Sequence, residues 1–300
     1  VVDGKTEELR TPAVVLCAAS QGEQAITVLL DGFEPRVQKI DAALQADVEV
    51  VLEVVADRRI AFNAPVQTGV GIGEGWLAMG VRGGRLGISR TDGNGSRLIE
   101  LGGLKAVDGT PVIQNGRVFF TTNENTVECQ PLEAAVPANG WPAALPGGAA
   151  TELVAKEGRL CVVDRDFVVH CWEQSTGQPL WKLSLDGAPS GPPTIDRRLA
   201  YTGTLDGRMF TIDVADGKVL SLFKCPAGIT TRVLCDQGTL YFGCADGNVR
   251  AVSAEDGRVL WTASVGHALT DGELALSASR LVAIDEQGNL IALRRENGQR

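Results

Sequence analysis

Short runs of strand-forming residues, separated by glycine-containing turns, are the dominant pattern along the chain. In residues 230–264 the runs TTRVLC, TLYFGCA, NVRAVSA and RVLWTAS are separated by DQG, DG and EDG. Val, Leu, Tyr, Phe and Thr suit strands, and glycine tolerates the positive φ that a tight hairpin turn needs. The pattern therefore predicts four short antiparallel strands in this segment.

The same four-strand pattern recurs with a period of about 41 residues. The turn residue that follows the second strand recurs at spacings of 52, 41, 41, 41, 40 and 41. Four strands per copy and a period near 40 are typical of β-propellers. The sequence thus predicts one all-β domain over residues 1–300, a seven-bladed β-propeller of four-stranded antiparallel blades with an insertion within 33–75. The marker residues are Gly32, Gly84, Asn125, Asp166, Gly207, Gly247 and Gly288.

The two ends of the chain suggest how the ring of blades closes. The last copy stops at ENGQR, directly after its third strand, and residues 1–7, VVDGKTE, precede the first copy. Because a ring should not leave one blade a strand short, we expect residues 1–7 to pair as the fourth strand of the last blade. The alternative is that this fourth strand is missing. Residues 40–55 are interpreted as an outer strand plus the insertion, since their β-branched second half suits a strand better than a helix.

Charge and hydropathy narrow the range of partners. The chain carries 28 basic and 37 acidic residues, a net charge of −9, so its surface should on average repel nucleic acid and anionic bilayers. No apolar run approaches the 18 residues of a membrane-spanning helix, so direct membrane insertion is not expected. The sequence begins at Val1 without a signal segment, which is expected of a mature form or of a piece of a longer protein. The compartment, the bacterial periplasm or envelope or the cytoplasm, stays open.

The seven cysteines do not form a recognisable metal motif. Their number is odd and none shows CxxC or CxxH spacing, which argues against a structural zinc site. Cys161 and Cys171 flank a probable hairpin turn near Asp166 and could face each other. The sequence leaves open whether these two are a disulfide or neighbouring thiols.

The segment GNVRAVSAEDGRVLW, residues 247–261, carries a recognisable repeat: glycine, an alanine flanked by apolar residues, a second glycine and a closing tryptophan. Looser copies are GRMFTIDVADGKVLS at 207–221 and FVVHCWEQSTGQPLW at 167–181. This pattern resembles the PQQ-like, quinoprotein-type propeller repeat, which implies a propeller fold and says little about function. Enzymes of the family bind PQQ and calcium in an eight-bladed ring with a vicinal disulfide. This chain has no Cys-Cys pair, so the resemblance favours non-enzymatic members such as the outer-membrane β-barrel assembly lipoprotein, and PQQ and calcium are not expected.

No residue set predicts a catalytic, cofactor or metal site. The chain has only two histidines, and we interpret His170 as a buried strand residue and His267 as a solvated loop residue. The segment GVGIGEG, 69–75, is similar to a phosphate-binding loop but continues into strand-like GWLAMGV instead of a helix. We therefore interpret it as a glycine-rich crossing between blades. Each Asp-rich turn offers one or two oxygen ligands, fewer than calcium requires.

Two segments interrupt the repeat and are the candidates for binding, since binding residues often lie on loops of a rigid scaffold. One is the insertion between Gly32 and Gly84. The other is VPANGWPAALPGGAA, 136–150, whose prolines and glycines argue against a regular strand. An exposed Trp141 would be a candidate interaction residue. Alternatively, Trp141 is the outer-strand tryptophan of its blade, corresponding to Trp181 and Trp261.

The leading hypothesis is a non-catalytic scaffold for protein–protein interaction or sensing, part of a larger bacterial envelope or signalling protein, with unidentified protein partners. The alternative is a small-ligand-binding or PQQ-dependent oxidoreductase-type propeller with a site in its central channel. The inner-strand segments contribute few ionisable groups, which favours the first hypothesis.

Overall fold

A computed structural model describes residues 23–28, 36–41, 60, 62, 64–133, 140–269 and 274–300, the first two ranges as backbone only. The chain divides into two compact units, Val1–Ile60 and Ala61–Arg300. In the first unit, β1 (Glu23–Val28) pairs antiparallel with β2 (Arg36–Asp41). Residues 1–7, for which ring closure is predicted, lie outside the described residues, as does most of 40–55.

The described residues of the second unit form six antiparallel sheets, here named A to F in chain order. Sheets A to E have four strands each and sheet F has three, and neighbouring strands follow one another along the chain. The described residues contain no α-helix. The predicted all-β architecture of four-stranded antiparallel blades is therefore confirmed. The strands of sheet A are β3 (Gly71–Gly73), β4 (Trp76–Val81), β5 (Arg85–Arg90) and β6 (Arg97–Glu100); of sheet B, β7 (Val107–Gln114), β8 (Arg117–Thr122), β9 (Thr126–Pro131) and β10 (Ala143–Ala144); of sheet C, β11 (Val154–Lys156), β12 (Arg159–Val163), β13 (Val168–Glu173) and β14 (Pro179–Ser184); of sheet D, β15 (Thr194–Asp196), β16 (Leu199–Gly203), β17 (Arg208–Asp213) and β18 (Val219–Lys224); of sheet E, β19 (Leu234–Asp236), β20 (Thr239–Gly243), β21 (Asn248–Ser253) and β22 (Val259–Ser264); of sheet F, β23 (Leu274–Leu276), β24 (Arg280–Ile284) and β25 (Leu290–Arg294).

The hydrophobic core lies between consecutive sheets. One buried cluster joins Val163 and Val169 of sheet C to Ala200 and Ile212 of sheet D. Similar clusters connect sheet D with sheet E and sheet E with sheet F. Both faces of an internal blade are therefore apolar, which explains why the central strands read as nearly continuous hydrophobic runs.

The recurring tryptophan of the outer strand packs on the next sheet. Trp181 in β14 is 8% exposed, and its Nε1 donates a hydrogen bond to the carbonyl oxygen of Val214 at 2.8 Å. Its ring covers Gly217, where an added Cβ would lie 2.7 Å from the ring atoms. Trp261 and Gly298 repeat this contact two sheet pairs further on, between sheets E and F. The tryptophan and the glycine of the repeat are thus partners across two neighbouring blades.

One turn marker differs from the prediction by one residue. The residue with positive φ is Phe167, at +63°, whereas the pattern had indicated Asp166. The reason is that the Asp164 carboxylate accepts hydrogen bonds from the amides of Asp166, at 3.0 Å, and Val168, at 2.9 Å, which sets the turn. A bulky residue in this conformation is unusual.

The prediction that 136–150 contains no regular strand is wrong at Ala143–Ala144. These residues form β10, which pairs with β9 through Ala143 opposite Val127. Pro142 and Pro146 flank β10 without interrupting it, and prolines are tolerated at the ends of an edge strand.

Candidate functional site

A cavity of about 480 Å³ opens where the chain enters the inner strands of sheets B to E. Its wall comes from segments that precede or begin those strands, so four blades contribute to one site. Concave sites of this volume are the usual places for ligands and extended segments. The wall residues with charged or hydroxyl side chains include Asp108, Thr110, Thr151, Glu152, Ser190 and Arg232.

In several sheets, a threonine just before the inner strand accepts a backbone hydrogen bond. The cavity lies beside the sheet in which glycine replaces this threonine. Thr68, Thr151 and Thr231 each accept a hydrogen bond through Oγ1 from a backbone amide of the second strand of their sheet, at 2.8, 3.1 and 2.8 Å. Gly191 stands midway between Thr151 and Thr231, 40 residues from each. A Cβ there would lie 3.2 Å from the Cα of Arg232. The glycine therefore allows the backbone of Arg232 to approach closely.

Two hydrogen-bond donors beside Gly191 lack strong partners. The Oγ of Ser190 is buried and has no hydrogen-bond partner within the described part of the chain. The half-buried Arg232 places its Nε 3.5 Å from Thr194 Oγ1, and no described carboxylate lies within ion-pair distance of it. A buried hydroxyl and an unpaired guanidinium both favour an acceptor such as a carboxylate.

Two acidic side chains also belong to the wall. Glu152 is exposed, and Asp108 Oδ2 lies 3.6 Å from an Arg165 nitrogen. The wall thus carries charge of both signs, which the sequence did not predict. The individual segments contribute few ionisable groups, and only their convergence from different blades makes the site charged.

Exposed apolar side chains surround the cavity on the same face. Leu104, Phe167 and Leu205 are 92%, 38% and 52% exposed. A backbone hydrogen bond holds the Leu205 turn against the cavity wall: the Leu205 amide donates to the Ala188 carbonyl at 2.9 Å, next to the wall residue Pro189. We call the cavity and these three side chains the funnel face. Exposed apolar groups around a polar depression are typical of protein-binding surfaces.

Trp141 lies away from the funnel face, at the outer edge of sheet B. It is half-buried and packs edge-on against Phe119, with ring centroids 5.6 Å apart. Its ring also covers Gly177, in the same way as the Trp181 ring covers Gly217. Trp141 therefore occupies the position of the outer-strand tryptophan. Part of its ring is exposed, and its predicted role in interaction stays a hypothesis.

The two histidines occupy different environments. His170 is 3% exposed, and its Nε2 lies 2.6 Å from Asp164 Oδ2, so it stabilises the turn described above. His267 is exposed in a loop, with Gln287 3.4 Å away. Gly71 and Gly73 lie in β3 and Gly75 in the turn that follows it, so the prediction of a crossing between blades is wrong for 71–75. A Cβ at Gly71 would lie 2.0 Å from the Pro111 carbonyl oxygen, and this close approach of sheets A and B explains the glycine there.

Among the described residues, no group of three or more His, Cys, Asp or Glu side chains is arranged to hold a metal ion. The same residues contain no helix long and apolar enough to cross a membrane.

The sheets, their period and their interblade contacts define a β-propeller built from PQQ-like repeats. The family model described as outer membrane protein assembly factor BamB matches residues 73–182 and 196–300. The chain therefore belongs to this family.

Three relatives match parts of the chain. The BamB of Yersinia pestis is 22% identical over 175 residues, covering 53% of this chain and 44% of the relative. The BamB of Nitrosomonas eutropha is 28% identical over 117 residues, covering 37% and 29%. The dehydrogenase subunit of the quinone alcohol dehydrogenase of Gluconobacter oxydans is 32% identical over 95 residues, covering 27% and 12%. The chain thus matches less than half the length of each of these relatives.

Solved structures agree on the fold. The crystal structure of BamB from Moraxella catarrhalis has a TM-score of 0.62 at 19% identity, covering 79% of this chain and 73% of that one. The computationally designed protein Ika8 has a TM-score of 0.63 at 13% identity, covering 90% and 83%. At these identities the likeness shows the propeller fold alone.

Proposed function

We propose that this propeller is a non-catalytic scaffold that docks a segment of a partner protein on its funnel face. The observation that carries the proposal is the combination of a four-blade cavity with unpaired donors and a surround of exposed apolar side chains. A rigid propeller can hold such a surface in place with little reorganisation on binding, which favours affinity.

The chemistry of the funnel face indicates what the partner segment carries. The Arg232 guanidinium can donate hydrogen bonds to a carboxylate, and a charge-assisted bond of this kind contributes about 1.5–3 kcal/mol. Leu104, Phe167 and Leu205 offer contacts to apolar side chains on either side of it. The expected partner is therefore an extended segment with an Asp or Glu flanked by apolar residues.

Relatives support a role in assembling other proteins. Two of the matched proteins are named outer membrane protein assembly factors, as is the family. We infer that this chain likewise acts within a larger assembly, in a bacterial envelope or a signalling protein. Trp141, on the outer edge of sheet B, is proposed as a second contact point for that assembly.

The test is selection of peptides from a phage-displayed random library on the purified full chain. We expect enrichment of peptides with an acidic residue between apolar ones. Affinity for the selected peptides should fall about tenfold or more in Arg232→Gln, equivalent to ~1.4 kcal/mol. The matched control is Arg197→Gln, an exposed arginine in the turn between β15 and β16, at the other end of the inner strand. Peptides without acidic preference, or equal binding by both variants, would refute the proposal.

A small-ligand or PQQ-dependent propeller is the second candidate, supported by the match to a quinone alcohol dehydrogenase subunit. The funnel wall fits a PQQ–calcium pair poorly, since the described residues contain no cluster of three ligating side chains. A thermal-shift measurement with PQQ and Ca²⁺ distinguishes the two, because a ligand that binds the folded state raises its apparent stability. A clear shift would favour the second candidate over the scaffold.

A further inference from the structure

Cys225 and Cys244 bring two thiols together across a blade boundary. Their Sγ atoms are 3.4 Å apart, and the residues are 3% and 0% exposed. Cys225 directly follows β18, the outer strand of sheet D, and Cys244 directly follows β20 of sheet E. A covalent bond between them would therefore tie one blade to the next.

The surroundings make the two thiols chemically unequal. The Cys244 thiol donates a hydrogen bond to Cys225 and the Arg250 guanidinium lies nearby, so the pKa of Cys225 is lowered to about 6. The same hydrogen bond and burial raise the pKa of Cys244. Arg250 is itself held by Asp246, with nitrogen–oxygen distances of 3.0 and 2.5 Å. The hydrogen bond and the nearby Arg250 charge thus favour a thiolate at Cys225 beside a thiol at Cys244, the starting point for thiol–disulfide exchange.

We propose that Cys225 and Cys244 are a disulfide-forming pair that locks sheets D and E together when the protein meets an organic disulfide such as oxidised glutathione. The Cys225 thiolate attacks one sulfur of the organic disulfide, which releases one glutathione thiolate that takes up a proton. Cys244 then gives up its proton and attacks Cys225 Sγ, releasing the second glutathione thiol. Two protein thiols are oxidised, and one glutathione disulfide is reduced to two thiols.

Little rearrangement is needed to form the bond. The sulfur atoms must approach from 3.4 Å to the bond length of about 2 Å. Because both side chains are buried, the oxidant reaches Cys225 only when the segment that follows β18 opens locally or during folding. The reaction is therefore expected to be slow in the folded protein.

A second close pair in the same chain serves as an internal control. Cys161 and Cys171 lie opposite each other on β12 and β13, with Sγ atoms 3.0 Å apart. Here the hydrogen bond with Cys171 and burial raise the pKa of Cys161, so Cys161 is held in the less reactive thiol form. The distances alone predict that both pairs oxidise, whereas the electrostatic argument predicts that Cys225–Cys244 oxidises first.

The experiment is a time course of the full chain with oxidised glutathione, followed by acid quenching, alkylation in denaturant and mass spectrometry. Cleavage after Lys and Arg and before Asp places Cys225, Cys235 and Cys244 on the separate peptides 225–232, 233–235 and 236–245. We expect the loss of two alkylated thiols and a cross-linked peptide joining 225–232 to 236–245.

The variant Cys244→Ser should stop at the mixed disulfide, with one glutathionyl group on Cys225. Arg250→Met should slow cross-linking severalfold. The proposal is overturned if Cys225 and Cys244 remain fully alkylated after long exposure, or if Cys161–Cys171 oxidises first.

Discussion

Replacing Gly217 by alanine tests whether the repeat's glycine and tryptophan are partners across blades. Gly217 has a φ of +75°, and an added Cβ would lie 2.7 Å from Cγ and Cδ2 of Trp181, against the 3.4–4 Å of ordinary contact. The Trp181 ring is 8% exposed and hydrogen-bonded to Val214, so it cannot shift without breaking other contacts.

The expected cost has two parts. Alanine at positive φ costs about 1–2 kcal/mol, and overpacking against a fixed ring adds about 1–3 kcal/mol. The matched control is Gly238→Ala, where φ is also +75° but nothing lies within 4 Å of the added Cβ. Gly238→Ala should therefore show the conformational part alone, and the difference between the two variants isolates the packing part.

Thermal and urea unfolding of both variants measure this difference. Each kcal/mol lowers Tm by roughly 2–4 °C in a domain of this size, so Gly217→Ala should unfold several degrees below Gly238→Ala. In a Trp181→Ala background the extra cost at Gly217 should disappear, which a double-mutant cycle detects as coupling of about 1 kcal/mol or more. Equal effects of the two alanine variants, or no coupling, would refute the partnership.

Two further outcomes are expected. The pKa of Asp246 is lowered from 3.8 to about 2, first by hydrogen bonds from Arg250. Because the pKa is lower in the folded than in the unfolded protein, the Asp246 carboxylate stabilises the folded state above pH 4, and this stabilisation is lost as the pH falls towards 2. Asp246→Asn should remove about 1 kcal/mol at pH 7, after discounting for solvent screening, and flatten the acid limb of the unfolding curve, whereas parallel curves would contradict the assignment. If residues 1–7 complete the last blade, deleting them should speed amide hydrogen exchange at Leu290–Arg294, and unchanged exchange would argue against this closure.

Much of the fold follows from local signals. The Asp256-Gly257 pair and the alternating runs around it predict a hairpin without knowledge of any distant contact, because turn chemistry and strand propensity act over a few residues. The repeat then places the same four-strand unit at each copy along the chain. The predicted turn residue at Asp166 is wrong by one position. The choice between Asp166 and Phe167 depends on the hydrogen bonds of the Asp164 carboxylate, which the local sequence does not reveal.

The candidate site, in contrast, is formed by residues that are far apart in the sequence and meet only in the folded protein. Nothing in the segments around Asp108, Glu152 and Arg232 marks them as neighbours, since they lie on three different copies of the repeat. Gly191 looks like an ordinary loop glycine until its position is compared with Thr151 and Thr231. Likewise, Cys225 and Cys244 have no motif spacing, and their contact depends on how sheet D packs on sheet E.

The sequence by itself determined the architecture: strand lengths, turn positions and the repeat are encoded in residues close together along the chain, so an all-β propeller was predictable. Only the tertiary structure decided which side chains meet, because a propeller brings equivalent positions of different blades together around one cavity. The mixed charge of the cavity wall and the Cys225–Cys244 contact are properties of that convergence, and no single repeat contains them.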